Sequence, residues 1–402
     1  MFKSLLVLVI ILSLFCIQSL TQEKDATYIA AVDWSHKGDF IAIIDIQLLT
    51  DFAELQVMEV DSGEIVYRFQ VNPASFNTLD WSPDDRFLAV GGYDQMIWIF
   101  DLETRTHLTT LVGHQATITD LDWNSDGSRL VSSGNWDQWV IIWDMHDYQE
   151  IGRIEIADPT SVQFSPDDTQ IAIGGLAGVF VYPSSLDVGL DRRSYRYFED
   201  PVESLAWNHY GNRLVASTQT FRSVQTPQIP VYSRLVILDT QTKTIVQEFT
   251  TSKETLDELV WSLDGQLIAT HSLNGTISVW DASMLTHWVD YHGVSGYSTQ
   301  ISFSPYGGRL AFGSMISDVM EQTNIELGID RGIQIVVPMP SLDRLNAIAE
   351  SCLALEARIA SVSDETRLPE FVTTIEALSG DQIPPGCKAD LLAVAQAIQA
   401  IE

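Results

Sequence analysis

The sequence predicts an all-β fold, a seven-bladed β-propeller of four-stranded antiparallel blades, with a small α-helical appendage at its C-terminal end. Three observations predict it. One phrase, an aromatic residue followed by a polar turn and a run of β-formers, returns seven times, at Trp34, Trp81, Trp123, Phe164, Trp207, Trp261 and Phe303. Successive spacings are 47, 42, 41, 43, 54 and 42 residues, close to the roughly 40 to 45 residues of one four-stranded blade. Beyond residue 350 the alternating pattern gives way to Ala- and Leu-rich text with helical spacing.

In chain order, residues 1–21 read as a cleaved export signal. Lys3 precedes an almost unbroken apolar stretch over residues 5–17, short of the roughly 20 residues that a bilayer-spanning helix needs, and Ser19 and Thr21 offer small residues for peptidase cleavage. Phe15 stands where a lipid-attachment site at Cys16 would want a small residue. The expectation is an exported protein, periplasmic or extracellular, meeting a membrane only if the signal is retained.

Residues 22–350 form the predicted propeller. Each unit reads as strand, tight turn, strand: Pro-Asp-Asp and Ser-Asp-Gly supply turn residues whose short polar side chains bond their own backbone, and the flanking Val, Ile, Leu and Thr are strand-forming. A four-stranded sheet cannot bury both faces alone. Blades stacked around an axis bury them against each other and leave only short, protected edges.

The chain carries 22 Lys and Arg against 54 Asp and Glu, a net charge of -32, so a phosphate backbone is repelled and nucleic acid is excluded as a partner. The one basic cluster, Arg192, Arg193 and Arg196, reads as an outer strand edge. Catalytic patterns are missing from the text: no HExxH pair, no GxSxG elbow and no phosphate-cradling glycine loop. The acidic pairs Asp84 with Asp85 and Asp167 with Asp168 lie in the repeated turns and supply too few converging oxygens for calcium. No metal and no cofactor are expected.

The third unit, with GHQATITDLDW, then SSGNWD, then VIIWD, resembles the WD-repeat family, and the resemblance spans roughly residues 27 to 350. It implies that His114, Ser133, Asp137 and Trp143 are an internal hydrogen-bonded set bracing the blade, not a nucleophilic triad. Elsewhere the set is eroded: blade two keeps Asp94 but has Phe100 for the Trp, and blade six has Asn274 with Trp280. Because propellers carry scaffolds, sugar binders and enzymes alike, function has to be argued from a site.

The resemblance also implies that the loop after each second strand and the loop entering each first strand open on one face. Long segments fall there at 219–234 and 314–332, with a lesser one at 47–54, and insertions confined to one face suit a binding rim. Phe221, Tyr232, Met315 and Met320 would be its adhesive side chains, with Tyr93 and Trp136 beside the turn aspartates of blades two and three. For Trp136 the alternative is packing against Trp139 or a neighbouring blade.

Residues 351–402 form the appendage, two helices separated by Asp381, Pro384, Pro385 and Gly386, with Leu391, Leu392, Ala395 and Ile398 as an apolar stripe. Residues 342–350 read either as the outer strand of blade seven or as the start of a helix. In an oxidising compartment Cys352 and Cys387 would form a disulfide, closing about 36 residues for roughly 4 kcal/mol. The sequence thus points to a non-catalytic exported platform, monomeric, that binds a protein, peptide or envelope component through its loop-rich face. The alternative is a carbohydrate-binding or hydrolytic propeller using the central funnel.

Overall fold

Each recurrence of the aromatic phrase closes the first strand of an antiparallel sheet in the computed structural model, which describes residues 27–47, 52–71, 76–185, 195–198, 200–220, 232–251, 255–292, 300–313, 333–337, 368–377, 383 and 385–401. Seven sheets follow in strict chain order, spanning 27–71, 76–112, 118–155, 159–196, 202–250, 256–291 and 301–336. Six have four strands, and the seventh has three among the described residues. The first strands of successive blades pack on one another, which puts them around the axis. Fourth strands, such as Gln149–Glu155 and Thr244–Thr250, are mostly exposed.

Physical chemistry explains why the phrase repeats. The indole Nε1 of Trp81, Trp123 and Trp207 donates to the backbone oxygen of Asp33, Asp80 and Gln163 in the preceding blade, at 3.2, 3.3 and 3.4 Å. The residue just before the aromatic then reaches forward. Asp80 accepts from Trp123 N at 2.8 Å, Asp122 from Phe164 N at 2.6 Å and Gln163 from Trp207 N at 3.2 Å. Small residues late in the second strand permit this closeness. A Cβ on Gly91, Gly174 or Gly313 would stand 2.8, 2.6 or 2.5 Å from Ile118, Val202 or Ile29 of the next blade.

Among the described residues the closure uses no shared strand, since Thr27–Trp34 pairs only within its own sheet. Instead Trp34 N donates to Ser302 Oγ of blade seven at 3.3 Å, and Ser302 Oγ donates to Asp33 at 2.7 Å.

Two helices, α1 (Leu368–Ala377) and α2 (Pro385–Ile401), pack on each other. Leu391, Val394, Ala395 and Ile398 are buried in a cluster that includes Leu368, Phe371 and Val337, with Tyr306 of blade seven against it. The apolar stripe therefore docks on the chain's own propeller. A polar contact fixes the dock. In blade two, Asp84 accepts from Ser82 Oγ at 2.6 Å and Arg86 N at 3.1 Å, which holds the turn between first and second strands. Blade seven has Tyr306 at that position, and Asp390 of α2 supplies the carboxylate, accepting from Ser304 Oγ at 2.6 Å and Gly308 N at 3.2 Å. Arg309 Nε donates to the other oxygen of Asp390 at 2.7 Å, and its guanidinium lies 4.6 Å from the Trp34 ring of blade one.

Some expectations fall outside the described residues: the 1–21 signal, the strand-or-helix segment 342–350, Arg192, Arg193 and Cys352. The expected Cys352–Cys387 staple is corrected accordingly. No such bond joins described residues. Cys387 is a half-cystine, wholly buried among the helices, and it is the one cysteine among the described residues, so Cys352 is not assigned as its partner.

Candidate interaction face and the networks behind it

Backbone bonds sort the turns onto two faces. On one, the second-to-third-strand turn bonds to the segment entering the first strand: Asn135 N donates to Thr117 O at 2.9 Å, and Leu273 N to Thr255 O at 3.1 Å. On the other, the third-to-fourth-strand turn bonds to the first-to-second-strand turn, as with Leu102 N to Arg86 O and Met145 N to Ser128 O, both 2.9 Å. The helices contact the second face. The first face carries the candidate residues.

There Tyr93 is 63% exposed and Trp136 80% exposed, each just before the turn aspartate of its blade. Trp136 has φ +71°, a left-handed conformation that a bulky residue adopts only when its surroundings impose it. The fold imposes it through Asp137, which accepts from Trp139 N at 2.9 Å and Gln115 N at 3.0 Å. Trp139 is occupied by Arg153, whose guanidinium sits 5.1 Å over its ring, and Trp136 projects into solvent. Sequence reasoning missed two further members, Leu176 and Leu273, 52% and 48% exposed. Their signal was the turn position they share with Tyr93, in blades four and six. Of the other proposed contacts, Phe221, Met315 and Met320 lie outside the described residues. Tyr232 opens the third strand of blade five opposite Thr220, and its side chain is likewise not described.

The bracing network is present with one correction. His114 meets Asp137 at 2.7 Å through Nδ1, and its Nε2 lies 2.7 Å from the hydroxyl of Ser132, not Ser133. Trp143 Nε1 donates to the same Ser132 Oγ at 2.9 Å. Ser133 occupies the position where other blades carry Gly91, Gly174 and Gly313, and it bonds Thr119 Oγ1 at 2.9 Å. Alternation along the strand forces the choice, since neighbouring side chains point to opposite faces. Burial works to raise the Asp137 carboxyl, but hydrogen bonds from His114, Trp139 N and Gln115 N outweigh it and hold it below the usual range. With Asp137 ionised and Nδ1 donating to it, Nε2 accepts from Ser132. The hydroxyl is buried and fully engaged, so it is a brace and not a nucleophile.

Around the axis, burial pushes the Asp33 and Asp120 carboxyls up to about 6 and raises Asp80, Asp122 and Glu258 well above the usual range. Shifted acidities converging on a funnel are what an enzyme would use. Here four of these five carboxylates already serve the ring. Besides the amides named above, Asp120 accepts from Val162 N and Ser161 Oγ, both 2.8 Å, and Asp33 from Ser302. Among the described residues, no group of three or more His, Cys, Asp or Glu is placed to hold a metal ion.

These features define a seven-bladed propeller whose polar networks are structural and which presents Tyr93, Trp136, Leu176 and Leu273 exposed on one face. Comparison with known proteins agrees. The family described as WD domain, G-beta repeat matches residues 63–101 and 105–144. THO complex subunit 3 of Arabidopsis thaliana is 25% identical over 226 residues, 54% of this chain and 65% of that protein. Anaphase-promoting complex subunit cdc20 of Dictyostelium discoideum is 30% identical over 132 residues, 32% of this chain and 25% of that protein. The chain thus spans less than two thirds of these relatives' length. A chain in the crystal structure of the mitotic checkpoint complex superposes with a TM-score of 0.59 at 20% identity, covering 76% of this chain and 88% of that one, a likeness of fold alone.

These relatives are named as subunits of assemblies. The same names correct the expected export. Neither is an exported protein's name, so the periplasmic or extracellular localisation drawn from residues 1–21 is withdrawn. Among the described residues, no helix is long and apolar enough to cross a membrane.

Proposed function

We propose that the chain binds a protein or peptide partner through the face carrying Tyr93 and Trp136, acting as a single-chain subunit of a larger assembly. One observation carries this reading. Four blades present an exposed apolar side chain, Tyr93, Trp136, Leu176 and Leu273, from the same turn on the same face. Exposed apolar groups gathered on one surface mark interaction sites, and aromatic anchors supply much of an interface's energy. The relatives' naming as complex subunits supports the same reading.

Quantitative mass spectrometry of proteins captured by the full chain tests it, with a Tyr93→Ala, Trp136→Ala variant as comparison. One protein recovered near stoichiometric amount, reduced at least about tenfold by the variant, is the expected result. Equal recovery by both baits would overturn the assignment of this face. The funnel alternative receives no support, because four of the five shifted carboxylates it would use are engaged between blades.

A further inference from the structure

On the face opposite Tyr93 and Trp136, a cleft of about 670 Å³ opens between blades one and two. Its apolar wall includes Phe40, Val57 and Leu102. Its charges do not balance: five carboxylates, Asp39, Glu59, Asp84, Asp85 and Glu103, face three cations. Two of the three cations are already committed. Lys37 Nζ lies 3.4 Å from Asp85, and Arg86 bonds Asp101 at 2.7 Å and Glu103 at 3.3 Å. Neither Asp39 nor Glu59 has an ion-pair partner among the described residues. Burial raises the Asp39 carboxyl, and the neighbouring carboxylates of Asp85 and Asp61 raise it further.

A second, independent feature also points to a missing group. Tyr67 lines the cleft, is only 8% exposed, and its hydroxyl is buried without a hydrogen-bond partner among the described residues. A buried hydroxyl left unsatisfied is costly, and a ligand that meets it recovers that cost.

We propose that this cleft receives an arginine or lysine side chain presented by an extended segment of a protein partner. The aliphatic stem lies along Phe40, Val57 and Leu102, and the cationic head is held by Asp39 and Glu59 and donates to Tyr67 Oη. Long basic side chains combine an apolar stem with a charged head in this way. The chain's net charge of -32 steers such a partner in. The proposal does not rest on the Tyr93 face, and the two can fail separately.

The test is an array of immobilised random dodecapeptides probed with the full chain. Bound peptides are expected to be enriched in Arg or Lys beside an apolar residue. Binding to those peptides should fall roughly thirtyfold for Asp39→Asn with Glu59→Gln and about threefold to tenfold for the conservative Tyr67→Phe, and stay unchanged for Trp136→Ala. A bound set without basic enrichment overturns the proposal. So does enrichment that survives both cleft variants. Sedimentation of the free chain as a dimer that dissociates on Tyr67→Phe would place a second copy in the cleft and overturn the assignment to a partner.

Discussion

Replacing Asp390 by alanine removes the carboxylate that α2 lends to blade seven. The side chain is fully buried, and so, at 3% exposure, is Arg309. The substitution therefore deletes the bonds from Ser304 Oγ and Gly308 N and also strands a buried guanidinium whose Nη2 already lacks a partner among the described residues. Breaking a buried ion pair from one side costs about 3 to 5 kcal/mol. Asp84→Ala is the internal control. It removes the equivalent two bonds in blade two from an exposed turn with no buried cation, and should cost about 1 to 2 kcal/mol. Urea unfolding of the full chain measures both, with an unchanged slope showing that the same surface is exposed. Adding Arg309→Met to Asp390→Ala should restore part of the loss, since apolar replacement of a buried pair is tolerated. If Asp390→Ala destabilised no more than Asp84→Ala, the reasoning that α2 neutralises a buried charge at the closure would be refuted.

The bracing network yields a second prediction. Ser132→Ala leaves the indole of Trp143 and Nε2 of His114 without their shared partner and should cost about 2 to 4 kcal/mol, whereas Ser133→Ala should cost about 1; equal losses in thermal unfolding would contradict the assignment. The third concerns pH. A carboxyl with a raised folded-state pKa holds its proton more tightly folded than unfolded, so its stabilising contribution is complete below the unfolded value near 3.8 and is lost as pH climbs through the folded value. Asp33, Asp80, Asp120, Asp122 and Glu258 all act in this sense. Asp101, held low chiefly by Arg86, and Asp137 act oppositely, and lose their contribution as pH falls through their own depressed values. The urea midpoint should therefore rise between pH 7 and about 5 and fall again below about 4. A flat profile from pH 7 to 5 would show that the axial acids are not shifted.

The sequence made the ring legible because the repeated residues are those that touch the next blade. Trp81, Trp123 and Trp207 recur since an indole reaches a carbonyl one blade away, and Asp80 and Asp122 precede an aromatic since each accepts an amide of the following blade. Assigning Ser133 for Ser132 was an error of one residue, in a pair of identical side chains where only register tells the two faces apart. Leu176 and Leu273 were not legible because a leucine in a turn carries no mark that separates an exposed side chain from a packed one. Asp390 obeys no repeat period. Its one textual trace is the SPYGG turn of blade seven, which lacks the aspartate that blades two, three, four and six carry there. Export was inferred from a purely local apolar segment, whose reading the relatives overrode.

The lodging of Asp390 in blade seven has a consequence during synthesis. A ribosome delivers all seven sheets before it delivers α2, so a growing chain can fold blade upon blade while the flanks of the first and last remain unsealed. Until residue 390 emerges, Arg309, over the ring of Trp34, lacks the carboxylate it pairs with among the described residues. Incomplete chains would then present an apolar, positively charged seam that finished molecules lack, a mark by which quality-control machinery could tell them apart.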